Sequence, residues 1–539
     1  MSIVSRLIAG IVTVALAVWG NYLFTPAWDF NSAGMWWFII ICAIIGAILF
    51  GLAEYISEDD MYIGTCIMAG IAVIALLIMS IGGCVGAQMF RAHDYQKLIE
   101  VTEANEEEFK SDIQMVTEET QPIIVDVSTA RKLGDRTIGS LQNAPWYDVD
   151  DEYNLIKYNG EYYRISELNY AGFFKYNKAK YNGIPGYVLV NAKTQEAKYV
   201  ELDEPIRYSP SAHFSYQLKR HLRNLYPTYL FGSAFFEIDE EGNPYYIVSV
   251  KTPTIGMFGG QKEESFIVMN ASTGEAKEYK TEELPEWVDH AFDLSYMLET
   301  TNYSFKYIDG WWNSIVSQTG VYKTTSEYGS SYYNSAITSD GEIAFYTGVT
   351  PANNSESNIG FVLANPATGE VTFYRCDGAE ETSAMGVAEG QVADFGYTST
   401  FPTVMIVDGI STYFMLLKDE AGTVQRYALC NIKDYTKVVQ AESFKEVVKL
   451  YREKIGTGKV EEPEVLETFT TEGIITNLYQ AQIDGSTYYY FTIEGSENLY
   501  MSSIKNNYKQ VMLSTGTKVT IEYVKTATED IFKVQKIQF

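Results

Sequence analysis

The residues that could carry out acid–base or metal chemistry are few and widely spaced in this 539-residue chain. It contains four histidines, His93, His213, His221 and His290. His213 and His221 lie in one predicted helix, where eight residues correspond to about 12 Å of rise, too far for both to bind one metal ion. The patterns H-E-x-x-H and G-x-S-x-G do not occur. We therefore expect no histidine-based catalytic unit, no metal site and no cofactor.

Clustered carboxylates offer an alternative route to catalysis. Glu380, Glu381 and Glu389 lie beside or on a predicted helix, and paired carboxylates perform acid–base chemistry in glycoside hydrolases. A glutamate near a helix N-terminus is also stabilised by the helix dipole, and we favour this capping or surface role. The acidic stretch 148–152 could offer oxygen ligands to calcium, but it lacks the glycine and final glutamate of an EF-hand loop. We predict a solvated turn there.

The candidate binding residues are a basic cluster and a tryptophan pair. Lys219, Arg220 and Arg223 fall on one predicted helix and stand out in a chain of formal net charge −29. They could bind an acidic partner, although we favour neutralisation of nearby acids within the fold. Trp311 and Trp312 could form an exposed aromatic platform, although the area that a tryptophan pair buries favours a core role. These five residues are our candidate ligand- or partner-binding site.

Three apolar stretches without charged residues predict a membrane anchor. They cover 7–24, 35–53 and 61–90, and about 20 apolar residues suffice to cross a bilayer. Arg6 before the first span favours a cytoplasmic N-terminus, which places the region after the third span outside. Arg91 and Lys97 after the third span favour the opposite orientation. The charges thus leave both orientations open.

The region after the anchor is strongly acidic. Only Arg6 and five acids precede residue 91, so the remainder has 39 basic and 64 acidic residues, a net charge of −25. Such a surface repels the phosphates of nucleic acids and anionic lipid headgroups. Nucleic-acid binding is therefore excluded.

A short motif occurs four times in this acidic region. The copies begin at Tyr187, Phe266 and Phe361, with a looser copy at Phe414. Each consists of an apolar strand, a turn that starts with Asn or Asp, and a returning strand; the Asn or Asp side chain bonds its own backbone in such turns. The uneven spacing indicates a series of small α+β units and argues against a solenoid of fixed period.

The second unit has the complete order of helix, strand, turn, strand and hairpin. Its segments D-x-x-G-x-P-Y-Y (239–246) and V-x-N-A-x-T-G-E (268–275) resemble the signature of PepSY domains. The third unit carries the same resemblance, the first is shortened, and the fourth lacks the leading helix. PepSY domains are mostly extracytoplasmic and are associated with regulation of peptidases and with envelope assembly. The resemblance therefore implies that the soluble region is extracytoplasmic.

A second resemblance extends over nearly the whole soluble region. The segments G-I-P-G-Y (183–187), Y-S-P-S-A-H (208–213), A-E-G-Q-V (388–392) and T-Y-F-M (412–415) are similar to landmarks of a bacterial family of multi-span envelope proteins. After residue 461, five short predicted strands in roughly 70 residues resemble a small OB-fold barrel. The family implies a bacterial cell-envelope protein and supplies no catalytic residues.

Together these observations predict an α+β protein rich in antiparallel strands. The predicted order is three transmembrane helices (1–90), an acidic helical stalk (91–125), a β-rich first unit (126–210), a PepSY-like unit (211–290), third and fourth PepSY-like units (291–460) and an OB-like barrel (461–539).

The function that we expect is non-catalytic. The protein would be a multi-pass membrane protein that binds or assembles another envelope protein, and a homo-oligomer is left open. Two alternatives are an extracytoplasmic hydrolase that uses the three glutamates, and a sensor or transport accessory subunit.

Overall fold

The computed structural model describes residues 2–57, 62–139, 144–327, 330–353, 357–457, 468–483, 486–496, 498–504, 507–525 and 531–539. The chain divides into two compact units, Met1–Ile455 and Gly456–Phe539. Helices and antiparallel sheets are both present, which confirms the predicted α+β class.

The N-terminal region forms three long apolar helices, α1 (Ser2–Phe24), α2 (Ala33–Ile56) and α3 (Ile63–Val85). Each is long and apolar enough to span a membrane, as predicted. Helices α2 and α3 pack closely at Gly64, which has no side chain. A Cβ at this position would lie 2.3 Å from the Phe50 ring. Small residues at helix contacts are typical of membrane bundles, where close backbone approach replaces hydrophobic driving force.

The segment after the anchor is not the helical stalk that we expected over 91–125. It contains α4 (Gln88–Gln96), β1 (Val101–Asn105) and α5 (Glu106–Asp112). Strand β1 pairs in parallel with the later strand Val371–Arg375. Phe109 at the end of the acidic run is fully buried, while Asn105 and Glu108 form a capping box that satisfies the first N–H groups of α5. The acidic run therefore caps a short helix that packs into the domain.

After α5, the first unit contains four successive segments, each with a leading helix and a four-stranded antiparallel meander. The elements of the first segment are α6 (Val127–Ile138), β2 (Tyr147–Val149), β3 (Asn154–Tyr158), β4 (Glu161–Tyr170), α7 (Phe173–Ala179), β5 (Ile184–Asn191) and β6 (Ala197–Ile206). Those of the second are α8 (Leu218–Leu225), β7 (Leu230–Ile238), β8 (Pro244–Pro253), β9 (Gln261–Asn270) and β10 (Ala276–Lys280). The meanders follow β3-β4-β5-β6 and β7-β8-β9-β10.

The third and fourth segments repeat this plan with short additional strands. The third comprises α9 (Leu294–Lys306), α10 (Gly310–Ile315), β11 (Tyr322–Thr324), β12 (Ser326–Glu327), β13 (Ser330–Ser331), β14 (Asn334–Ile337), β15 (Ile343–Pro351), β16 (Ser357–Asn358), β17 (Gly360–Ala364) and β18 (Val371–Arg375). The fourth comprises β19 (Gly378–Ala379), α11 (Glu381–Gly390), β20 (Thr398–Ser399), β21 (Thr403–Val407), β22 (Ile410–Lys418), β23 (Val424–Asn431), β24 (Val438–Ala441) and α12 (Phe444–Ile455). The meanders are β14-β15-β17-β18 and β21-β22-β23-β24.

The repeated motif forms the turn between the third and fourth strands of each meander. Asn191, Asn270 and Asn365 each accept, through Oδ1, the backbone N–H groups two and three residues further on, at 2.9–3.2 Å. This side-chain bonding holds three hairpins in one geometry.

The fourth copy of the motif was placed wrongly from the sequence. Asn431 forms the corresponding turn, accepting the N–H groups of Lys433 and Asp434 at 2.9 Å. Asp419, which we had taken for the fourth copy, instead joins the second strand of the fourth meander to the third. The fourth segment also has a leading helix, α11, which is the helix predicted beside the three glutamates but not assigned to this unit. Most residues of α11 are small, so the sequence does not show a clear apolar face.

Neighbouring segments share their hydrophobic cores, which explains why they form one compact unit. One core combines α6 and α8 with the first and second sheets, a second combines α9 with the second and third sheets, and a third combines α5 and α11 with the third and fourth sheets. Many of the 42 tyrosines are buried in these cores, among them Tyr176, Tyr187, Tyr246, Tyr346 and Tyr413.

The C-terminal unit contains a closed five-stranded barrel, as predicted in its coarse form. Its strands are β25 (Thr468–Ile483), β26 (Ser486–Ile493), β27 (Leu499–Ser503), β28 (Lys518–Lys525) and β29 (Ile531–Gln538), in the closed order β25-β26-β27-β29-β28. Ile475, Phe491 and Ile521 fill its core. The more specific resemblance to an OB-fold stays a prediction.

Candidate functional site at the membrane junction

The basic cluster lies where the soluble domain meets the first membrane helix. Arg220 Nε donates to the carbonyl of Tyr22 at 3.1 Å, and its guanidinium lies 4.3 Å from the centroid of the Tyr22 ring. Arg223 Nε donates to the carbonyl of Thr25 at 3.3 Å. The last carbonyls of a helix have no partner within the helix and carry partial negative charge. The two arginines therefore attach the end of α1 to α8, whereas we had favoured neutralisation of acids for this cluster.

Arg223 is a buried cation surrounded by neutral groups. Its side chain donates to the carbonyls of Tyr226 at 3.0 Å and Tyr229 at 2.6 Å, and it stacks on the Phe231 ring at 4.4 Å. Burial lowers the pKa of the guanidinium to about 10, so it stays charged at neutral pH. Within the described part of the chain, no carboxylate forms an ion pair with Arg223 or Lys219. The junction therefore carries positive charge that the fold does not compensate.

A pocket of about 610 Å³ opens beside this cluster. Its polar end contains Lys219, Arg223 and Lys251, and its apolar end lies between α1 and α2, lined by Leu16, Trp19, Leu23, Trp37, Phe38, Ile41 and Ile45. This volume is in the range of small-molecule sites, about 300–1,000 Å³. The pocket thus combines three cationic side chains with apolar side chains of α1 and α2.

Lys251 receives only weak compensation from its acidic neighbour. Its Nζ lies 3.9 Å from Glu263 Oε1, beyond hydrogen-bond distance. Burial raises the pKa of Glu263, although hydrogen bonds from the Asp293 N–H and the Ser249 hydroxyl oppose the shift. The attraction to Lys251 also opposes this shift, so Glu263 partly compensates the Lys251 charge, whereas Lys219 and Arg223 have no ion-pair partner in the described ranges.

The loop between β8 and β9 packs against the membrane helices and was missed from the sequence. Phe258 lies so close to α3 that a Cβ at Gly82 would approach its ring to 2.7 Å. Met257 and Phe258 pack on a cluster formed by α2 and α3. The available signal was the pair Met257–Phe258 between glycines, an apolar tip on a polar hairpin.

The tryptophan pair lies beside the helix that leaves the membrane. Trp311 packs on the cluster around Tyr95 and Tyr307, which agrees with a core role for this residue. Trp312 is 66% exposed, and the two rings meet edge to face at 4.8 Å. Trp311 is thus a packing residue and Trp312 a surface residue. Neither lines the pocket beside the basic cluster.

The three glutamates of the hydrolase alternative point to different partners. Glu381 is buried and accepts from the hydroxyls of Tyr346 and Thr325 at 2.8 and 3.0 Å. Glu389 accepts from a backbone N–H at 2.7 Å, and Glu380 from the neighbouring Thr382 hydroxyl. Glu381 and Glu389 are separated by about 12 Å along α11. Their arrangement offers no converging acid–base pair.

A buried acidic cluster joins the first, second and third segments. Glu237 accepts the backbone N–H of His290 at 2.6 Å and faces its Nδ1 at 3.1 Å, while Asp289 accepts the N–H of Lys157 at 2.6 Å. Burial raises the pKa of Glu237 to about 8 and of Asp289 to about 7, and it lowers that of His290 to about 4. Perturbed groups are common at functional sites, but the hydrogen bonds here are internal and hold segments together.

Comparison with known proteins adds no assignment. No protein-family model matches the chain, and no curated protein matches it. No group of three or more metal-binding side chains occurs among residues that the structure describes. The function of the junction therefore has to be inferred from its geometry.

Proposed function

We propose that the protein is a membrane-anchored, non-catalytic binding protein, and that its ligand at the junction is an anionic amphiphile of the bilayer. The observation that carries this proposal is that Lys219, Arg223 and Lys251 line the same pocket as the apolar side chains of α1 and α2. A headgroup with a phosphate would face the three cations, and an acyl chain would lie between α1 and α2.

The charge distribution supports an anionic headgroup. The soluble region has a net charge of −25, so its general surface repels anionic lipids. Cationic side chains form strong charge-assisted hydrogen bonds with phosphate. Each Lys or Arg near an anionic membrane surface contributes about 1 kcal/mol of attraction. A group of three cations with a single acidic neighbour, Glu263, is thus a local exception that favours one lipid class.

The position of the pocket also suggests what binding would do. Its lining combines the end of α1 with Leu230 and Phe231 of β7. A ligand there would contact the anchor and the soluble domain together, and it would stabilise the geometry in which both contacts form.

Native mass spectrometry of the full chain tests the proposal. Protein in nanodiscs of equal parts phosphatidylcholine and phosphatidylglycerol should retain phosphatidylglycerol after transfer to detergent. The double variant Lys219→Glu and Lys251→Gln should reduce this retention about tenfold or more, since each cation contributes about 1 kcal/mol. Lys277→Glu, on the far edge strand of the second sheet, is the matched control. Equal retention of both lipids, or no loss in the double variant, would refute the proposal.

A protein partner, as expected from the sequence, is a second candidate function. Strand β6 (Ala197–Ile206) is an edge strand of the first sheet, and its outer side has no strand partner among the described strands. An edge of this length can accept a strand from another protein. A photo-crosslinker at Asp203 in cells should capture one envelope protein, and Glu204→Lys should abolish that capture. Crosslinks to lipid alone would contradict this function.

We also propose, from the family resemblance, that the soluble region lies in the cell envelope outside the cytoplasm. Protease added to intact cells should then degrade the chain beyond Arg91. Degradation only after the membrane is permeabilised would reverse this orientation.

A further inference from the structure

Two groups of exposed apolar side chains flank the membrane anchor, and from them we infer that the soluble domain rests on the bilayer surface through two feet. Foot one consists of Phe173, Phe174, Tyr181 and Phe214. Foot two consists of Trp312, Ile315 and Val316. None of these residues lines the junction pocket, so the inference goes beyond the proposed function.

The ends of α1 and α3 mark the plane of the membrane surface on the side of the soluble domain. Three successive crossings bring both C-terminal ends to the same side. The domain contacts the chain just beyond each end. The Trp28 N–H donates to the Pro227 carbonyl at 2.9 Å, and the loop between β8 and β9 approaches Gly86 so closely that a Cβ there would lie 2.9 Å from the Gly259 nitrogen. The base of the domain therefore lies at the depth of the lipid headgroups.

Foot one lies next to the end of α1. Arg220, which bonds the Tyr22 carbonyl, also donates from Nη1 to the carbonyl of Phe214 at 2.7 Å. The ring of Phe214 lies 6.1 Å from that of Phe173, centroid to centroid. Phe174 and Tyr181 at the tip of the foot are 81% and 82% exposed. The Arg220 side chain thus connects foot one directly to the last turn of α1.

Foot one also carries the charge that an anionic surface attracts. Lys175, Lys178 and Lys180 are interspersed with its aromatic residues, and none forms an ion pair with a carboxylate in the described ranges. Lys175 bonds the Pro145 carbonyl, and Lys180 lies over the Tyr181 ring at 5.2 Å. Aromatic residues alternating with lysine are typical of segments that lie in the membrane interface. The three lysines form a positively charged cluster in a region whose net charge is −25.

Foot two lies next to the end of α3 and is apolar. Trp312 and Val316 are 66% and 73% exposed, and Ile315 is 52% exposed. Their helix, α10, packs against α4, whose Phe90 is 69% exposed and lies five residues beyond the end of α3. Contiguous exposed apolar surface next to a membrane helix indicates contact with lipid, and tryptophan prefers the headgroup level.

Two feet beside the ends of two different membrane helices have a mechanical consequence. A single bundle of three helices would allow the domain to tilt, whereas contacts beside α1 and beside α3 restrict rotation about the anchor. The domain would then keep one face towards the bilayer.

Photo-crosslinking of the full chain tests this inference. Benzoylphenylalanine replaces Phe174, Trp312 or, as a matched control, Phe395, which is 59% exposed and contacts Tyr397 and Arg426 of the fourth segment. In vesicles of equal parts phosphatidylcholine and phosphatidylglycerol, lipid adducts at 174 and 312 should exceed those at 395 about tenfold. Yields equal to the control, or adducts to a second copy of the chain, would overturn the inference.

A charge-reversal variant separates the electrostatic contribution of foot one. Combined replacement of Lys175, Lys178 and Lys180 by Glu should lower the lipid adducts at 174 about fivefold or more in the mixed vesicles, because each lysine attracts the anionic surface. Adducts at 312 in the same variant should be unchanged and serve as the folding control. An unchanged yield at 174 would refute the role of the lysines.

Discussion

Replacement of Glu381 by Gln should change the pH dependence of stability. The Glu381 side chain is fully buried, and burial raises its pKa to about 7 against the opposing effect of hydrogen bonds from Tyr346 and Thr325. In the unfolded chain the glutamate has a pKa of about 4.5. Between these values the folded protein keeps a proton that the unfolded chain has released, so stability falls as the pH rises through this window. Glutamine cannot ionise, and this component of the pH dependence disappears.

The size of the effect follows from the shift. A pKa difference between 4.5 and about 7 corresponds to about 3 kcal/mol, at about 1.36 kcal/mol for each unit. For a unit of several hundred residues, about 1 kcal/mol of stability corresponds to about 1 °C in Tm. Relative to the unmodified protein, Glu381→Gln should therefore gain about 3 °C between about pH 5 and about pH 8.5. At about pH 5 the buried side chain is neutral both as Glu381 in the unmodified protein and as Gln in the variant. The two proteins then differ there only in the geometry of the hydrogen bonds to this side chain.

Thermal unfolding of the full chain in detergent at the two pH values measures this difference. Glu380→Gln is the matched control, because it changes the same residue type one position earlier, where the side chain bonds Thr382. The difference in Tm between the control and the unmodified protein should be the same at both pH values. If Glu381→Gln also does so, the proton is not retained in the folded state, and the reasoning fails.

Four further predictions concern turns and the junction. Gln195→Gly should raise stability by about 1 kcal/mol in denaturant titration, because the native φ is 65°. Gly369→Ala, at the equivalent turn position, should lower it by about 2 kcal/mol or more, because φ is 76° and the Cβ would lie 2.5 Å from the Phe292 ring. Phe258→Ala should increase hydrogen exchange at the end of α3, since it empties a packed contact. Arg223→Lys should lower Tm, because an ammonium cannot reach the carbonyls that the planar guanidinium bonds together.

Each of these predictions has an outcome that contradicts it. Unchanged stability in Gly369→Ala would mean that the Phe292 ring moves aside at no cost and that the positive φ is not strained. A loss of stability in Gln195→Gly would mean that its side chain contributes more than the backbone strain costs. An unchanged exchange rate in Phe258→Ala would show that the loop does not support α3. An unchanged Tm in Arg223→Lys would show that the carbonyl contacts are dispensable.

Local signals in the sequence were sufficient for the anchor, for the barrel and for most turns. Charge-free stretches define α1, α2 and α3, and the Asn at positions 191 and 270 marks hairpins because its side chain bonds the next few residues. The turn at Asn431 was missed because it is one residue longer: the Asn431 N–H bonds the carbonyl of Lys437, six residues on, instead of five as at Asn270. It also has Asp434-Tyr435 at the positions where the motif has Thr-Gly.

The junction could not be predicted because its contacts join distant parts of the chain. Arg220 and Arg223 satisfy carbonyls almost two hundred residues earlier, and a helical pattern does not reveal which surface its basic side chains meet. The lysines of foot one were visible in the sequence. Their importance depends on the nearness of α1, which only the fold shows.

The parallel pairing of β1 with β18 has a consequence for biosynthesis. Val101 lies opposite Val371, so β1 can pair only after a strand 270 residues later in the chain has been synthesised. At synthesis rates of about 5–20 residues per second, this wait lasts roughly 15 to 50 s. During that interval an unpaired strand edge stands beside the bilayer, open to wrong pairing. The nascent chain is therefore most vulnerable at the strand nearest the membrane, and the third sheet is completed only when translation has passed residue 375.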